Sequence, residues 1–154
     1  MKRLAVIRIK GKKGVDRRIE DTLRMLNLTR VNYCTIVNDD GVYLGMLEKA
    51  KDYITWGEVD EEGVTILLRH RGELSGGRKL TDSYIKKHTK YDSIAEFSQA
   101  FVNFEAELSD VPDLRTFFRL HPPRKGHEGI KRTFRQGGAL GPRGNMKGLL
   151  YRMR

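Results

Sequence analysis

One cysteine, Cys34, stands among 154 residues. A lone thiol forms no internal disulfide and excludes a zinc site built on several cysteines. It lies between Tyr33 and Ile36 in an apolar run, where a buried small hydrophobe is the expectation and a nucleophile would need a base. Long apolar runs are also missing. The longest are Leu4 to Ile7 and Val64 to Leu68, interrupted by Thr65, far short of the roughly 18 to 20 residues of a membrane span. Only four apolar residues separate Arg3 from Arg8, too few for a secretory h-region, so a cytoplasmic protein with no membrane partner is expected. Catalytic constellations are absent too. His70, His88, His121 and His127 have no metal-ligand spacing, and the neighbouring acids Asp39 with Asp40 and Glu61 with Glu62 read as solvated turns. The stretch from Gly138 to Gly144 lacks the Gly-Lys-Ser/Thr of a phosphate loop. Ser75-Gly76-Gly77-Arg78-Lys79 has the form of an anion-binding turn, although an exposed loop is the favoured reading. The expectation is a protein that is not an enzyme, with no cofactor, no metal and no small-molecule substrate.

What the chain has in excess is positive charge. Thirty Lys and Arg face twenty Asp and Glu, a formal net charge of +10, while 38% of residues are hydrophobic. That is one ordinary domain with a modest core and room for an extension, and its partner should be anionic. The charge is gathered: net +3 over residues 1–60, −3 over 61–114 and +10 over 115–154, where Glu128 is the only acid. The same final forty residues hold seven of the sixteen glycines and three of the four prolines. Residues 115–154 therefore read as an extended, self-repelling basic arm. Such an arm neutralises phosphates, and its glycines let the main chain approach a sugar-phosphate wall. Its candidate RNA contacts are Arg119, His121, Arg124, Lys125, Lys131, Arg132, Arg135, Arg143 and Lys147. A second set is Lys10, Lys12 and Lys13 in a glycine-flanked loop, with Arg17, Arg18 and Arg24 on the helix that follows. An architectural DNA-binding protein would use the same charge pattern.

Periodicity gives the folded part. Lys2–Lys10 alternates with two largely apolar faces and reads as a central strand. Asp16 caps a helix carrying Ile19, Leu23 and Leu26, and Tyr33 to Val37 is a second strand ended by Asn38-Asp39-Asp40-Gly41. A helix over 42–53 and a strand over 54–59 complete a strand-helix-strand-helix-strand order. Val64, Ile66 and Leu68 alternate after a turn at 60–63, which reads as a hairpin partner of 54–59. Thr81 caps a short helix to His88, and Ser93 opens another whose stripe runs Ile94, Phe97, Phe101, Phe104, Leu108 and packs on the sheet. The domain plan is thus 1–60 as core, 61–114 as a hairpin and helical extension packed on it, and 115–154 as the arm, without which the remainder should still fold.

Specific residues narrow the class. Lys2-Arg3-Leu4-Ala5-Val6-Ile7-Arg8, Thr22-Leu23-Arg24-Met25-Leu26-Asn27-Leu28 and Gly45-Met46-Leu47-Glu48-Lys49-Ala50 resemble the short bacterial form of large-subunit ribosomal protein thirty. The rest resembles its archaeal form, related to eukaryotic large-subunit protein seven. The most specific phrase is Arg119-Leu120-His121-Pro122-Pro123-Arg124-Lys125-Gly126, with Lys131-Arg132 and Gln136-Gly137-Gly138. The resemblance covers nearly the whole chain. It implies an α+β fold, a small ferredoxin-like sheet with two helices on one face. It implies a structural, non-catalytic role in the large ribosomal subunit, binding ribosomal RNA, with 5S RNA as a further candidate contact and neighbouring ribosomal proteins as partners. The long basic N-terminal extension of the eukaryotic relative is missing, so its role does not carry over.

Overall fold

The computed structural model describes residues 1–154. Strand β1 (Arg3–Arg8) is buried along its whole length because it has a partner on each side and packing on each face. Its neighbours are β2 (Tyr33–Asn38) and β3 (Ile54–Glu58), both antiparallel to it. Helix α1 (Arg17–Met25) starts where the Asp16 carboxylate accepts from Arg18 N at 2.8 Å. Helix α2 (Gly41–Lys49) starts where Asp40 accepts from Tyr43 N at 3.0 Å. Both helices cover one face, where Leu4, Val6, Leu23, Leu26, Leu47, Ile54 and Trp56 are among the ten residues of a core. The ferredoxin-like order read from the sequence is present.

The other face carries the larger core of 27 residues around Ala5, Ile7, Ile9 and Cys34. It is roofed by α3 (Glu61–Arg71), α4 (Asp82–His88), α5 (Ile94–Val102) and α6 (Lys147–Met153). Here the expected hairpin is corrected: residues 61–71 are helical. Asp60 caps them by accepting from Gly63 N at 2.9 Å, Glu61 and Glu62 sit in the first turn, and Arg69, His70 and Arg71 sit in the last. These charges match the helix macrodipole at both ends. The apolar side chains buried are Val64, Leu67 and Leu68 at helical spacing, while Ile66 is only partly covered. Helix α5 begins at the Ser93 cap and buries Phe97 and Phe101, but it ends at Val102. Phe104 lies beyond it with φ +62°, and Leu108 belongs to a separate turn, Leu108–Asp110.

The extended arm is also corrected. Residues after 115 supply both edges of the sheet: β4 (Phe117–Arg119) pairs antiparallel with β2, and β5 (Gly141–Asn145) pairs parallel with β3. The strand order is β4-β2-β1-β3-β5. Phe118, Leu120, Met146, Leu149, Leu150 and Met153 belong to the larger core, which outweighs the repulsion among the cations around them. Gly57 makes the β5 pairing possible, since a Cβ there would meet Gly144 O at 2.7 Å and Arg143 O at 2.9 Å. Pro142 is tolerated because β5 is an edge. Between the strands, residues 121–140 close on themselves: Ala139 N donates to Gly129 O at 3.2 Å and Leu140 N to Arg132 O at 3.1 Å. No helix is long and apolar enough to cross a membrane.

Two arginines of β1 are buried, one on each face. Arg8 donates from Nη1 to Leu28 O at 2.8 Å and from Nε to Lys10 O at 2.8 Å, and its Nη2 lies 3.0 Å from Glu20 Oε2. Arg3 lies over the rings of Phe101 and Phe104, at 3.9 and 4.1 Å from their centroids.

Candidate nucleic-acid interface

The loop between β1 and α1 is held at its root by Arg8 and turned by Gly14 at φ +73°. Lys12 and Lys13 point into solvent, and the Lys10 ammonium lies 5.7 Å from the Tyr53 ring centre. Lys131 and Ile130, more than a hundred positions away, line the same concavity, about 390 Å³ in volume. The two basic sets thus meet: four lysines surround a floor of Ile9, Tyr53 and the half-exposed Ile130. Ammonium groups around an apolar floor suit a phosphodiester chain whose sugars or bases need a surface to rest on. Arg17 and Arg18 continue this face as exposed residues of the first turn of α1.

Other cations of the two sets fall into distinct groups. Lys125, Arg132 and Arg135 are exposed in the closed loop and form no ion pair; His121 and Arg124 are exposed where their main-chain N–H groups donate to Met153 O and Arg152 O, at 3.0 and 3.1 Å. Arg24 pairs with Asp21 at 3.7 Å on the helix surface. Three are held by the protein itself. Arg119 forks onto Glu73, with Nε 3.0 Å from Oε2, and lowers the Glu73 pKa from the usual carboxylate value. Arg143 donates from Nε to Thr55 Oγ1 at 2.8 Å and from Nη2 to Ala139 O at 2.9 Å, and it overlies the Phe134 ring at 5.0 Å. Lys147 pairs with Glu62. Burial, and then the neighbouring Arg152, lower the Arg143 pKa from its ordinary value, and burial, with Arg143 and Arg152, lowers that of His127.

Tyr53 and Ile130 escaped the sequence reading, since Tyr53 looked like a helix core residue and Ile130 sits alone among polar neighbours. Their proximity to a lysine loop exists only in three dimensions. No group of three or more His, Cys, Asp or Glu is placed to hold a metal ion.

Comparison with known proteins decides the family. Over 148 residues, 94% of this chain and 99% of the relative, the sequence is 56% identical to the large ribosomal subunit protein uL30 of Methanopyrus kandleri. The chain belongs to the L30p/L7e family of ribosomal proteins. The family model, described as ribosomal protein L30p/L7e, matches residues 4–54, which run from β1 to the first residue of β3. Family members bearing the same name in Methanoculleus marisnigri and Methanosphaera stadtmanae are 48% and 49% identical, covering 97% and 90% of this chain and 99% and 91% of their own lengths. The likeness therefore extends past the family model, through the segments that supply β4, β5 and α6.

Proposed function

We propose that this protein is a structural constituent of the large ribosomal subunit that binds large-subunit ribosomal RNA. The observation that carries the reading is the joining of Lys10, Lys12 and Lys13 with Lys131 around one apolar floor. Arg17 and Arg18 extend this face, and the closed loop adds Arg124, Lys125, Arg132 and Arg135 with His121. Arg24 reaches the same RNA by giving up a weak surface pair. Arg119, Arg143 and Lys147 are left out of the direct contact set, because their partners within the fold occupy them. The family resemblance makes 5S RNA the second RNA to test and neighbouring ribosomal proteins the other partners. The three-part division of the sequence becomes a proposal about labour: residues 1–60 and 115–154 supply the main RNA contacts, and 61–114 supplies most of the packing on the sheet's second face.

The test is the full chain against the variant Lys12→Ala, Lys13→Ala, Arg17→Ala and Arg18→Ala, titrated with large-subunit ribosomal RNA, 5S RNA and duplex DNA across a salt series. The variant should keep its melting behaviour and bind the large RNA more weakly, with a salt slope shallower by about one for each phosphate no longer neutralised. Equal preference for duplex DNA would move the protein to the architectural class.

A further inference from the structure

The net charge of −3 over residues 61–114 suggests a surface that repels phosphate, but folding separates those charges. Glu61 and Glu62 sit at the start of α3, and Arg69, His70 and Arg71 sit at its end. The chain then makes a tight hairpin, in which Leu74 N donates to Arg78 O at 2.7 Å and Gly77 N to Leu74 O at 3.0 Å. Gly76 and Gly77 take φ of +87° and +82°, a conformation other residues rarely adopt. This turn returns Arg78 and Lys79 to the end of α3, where Arg115, just before β4, and Arg119, the last residue of β4, both reach Glu73.

The result is a cleft of about 410 Å³ whose walls include His70, Arg71, Glu73, Lys79 and Arg119 and no hydrophobic side chain. Glu73, the one acid there, is already shared by Arg119 and by Arg115 at 3.6 Å. Arg69, Arg71, Arg78 and Lys79 form no ion pair, and Arg71 Nε is buried with no acceptor in the protein. Burial, and then the charges of Arg154, Arg69, Arg71 and Lys79, lower the His70 pKa from its ordinary value. The end of α3 contributes only about half a negative charge against these full positive ones.

We propose that this cleft is an additional phosphate-binding site for an RNA backbone, with Arg71 and Lys79 as its principal contacts. It rests on the RNA-binding reading and extends it to the other side of the sheet, because α3 roofs the face opposite α1 and α2. Both sites lie toward the same end of the sheet: Asn32 N donates to Arg8 O, and Tyr33 stands beside Arg119 in register. A purely polar wall favours phosphate over a protein segment, since protein interfaces anchor on aromatic and aliphatic side chains at their centre.

The test uses the full chain with Arg71→Gln and Lys79→Gln together, binding to large-subunit ribosomal RNA across a salt series, and acetylation of Lys79 in the free and RNA-bound wild-type protein. The expected results are a slope shallower by about one to two and protection of Lys79 along with Lys12, Lys13 and Lys131. If Lys79 is acetylated equally in both states while the other three lysines are protected, the cleft is not an RNA site and the main interface stands. If the wild-type chain binds no RNA, the functional reading falls and this inference with it. If polyglutamate protects Lys79 and RNA does not, the cleft takes an acidic protein segment instead, which overturns the proposal.

Discussion

Arg3 closes its guanidinium on the carboxylate of Glu107, with Nη2 3.0 Å from Oε1 and Nη1 3.2 Å from Oε2, tying the central strand to the turn after α5. The pair is lopsided: the Arg3 side chain is 3% exposed and that of Glu107 55%. Arg3 also donates from Nε to Phe101 O at 3.0 Å, from Nη2 to Ala106 O at 3.1 Å and from Nη1 to Asn38 Oδ1 at 2.7 Å.

Removing the two partners should therefore have unequal effects. Arg3→Ala strips acceptors of their donor and leaves a void between two rings, an expected loss of about 3 kcal/mol in a urea melt. Glu107→Gln keeps the shape and loses a half-solvated charge, which should cost less than about 1 kcal/mol. Equal losses would show that the charge pair, rather than the carbonyls and rings, governs the site.

Shortening the chain should unfold it. A protein ending at Asn145 lacks Met146, Leu149, Leu150 and Met153, all buried. One ending at Val111 also lacks both edge strands. Each large buried side chain removed from a core typically costs about 2 to 5 kcal/mol, so neither fragment has stability left to lose. Neither should show a cooperative thermal transition by circular dichroism, which reverses the sequence-based expectation of an independent remainder.

Stability should fall on mild acidification. The folded-state pKa of His127 is lowered from its ordinary 6.5, first by burial and then by Arg143 and Arg152. Below that value the unfolded chain takes up a proton that the folded one refuses, so stability decreases as the pH drops from about 6.5 toward the lowered folded value. His70 acts in the same direction. His127→Gln should flatten part of this dependence in melts between pH 7 and 5, and an unchanged profile would assign it elsewhere.

The Cys34 thiol should stay silent. It is fully buried, and burial raises its pKa, so almost no thiolate is present at neutral pH. Native protein should react with a thiol reagent only as fast as it opens, and denatured protein at once.

The first sixty residues were legible because their signals are local: alternation in β1, the Asp16 and Asp40 caps, and the turn after β2. Helix α3 was misread because Val64, Ile66 and Leu68 alternate by chance, although the Asp60 cap and the acid-to-base gradient of residues 61–71 held the correction. Strand β5 was not legible. Gly-Pro-Arg-Gly-Asn has no strand propensity, and it pairs only because Gly57 opens a berth on β3. The cations could be counted from the sequence, but their sorting into solvent-facing and fold-committed groups could not. Arg143 is committed to Thr55, a partner 88 positions away.

The placing of β4 and β5 on the sheet's two borders has a consequence for biosynthesis. Strands β2 and β3 emerge about 85 residues before their outer neighbours, a delay of about 4 to 17 s at ordinary elongation speeds. During that interval the nascent chain exposes two unfinished hydrogen-bonding rims beside an uncovered apolar face. Such rims pair readily with strands of other molecules. Slow codons would lengthen that window of stickiness, overproduction would bring more exposed rims together within it, and a chaperone that shields the half-made sheet would keep them apart.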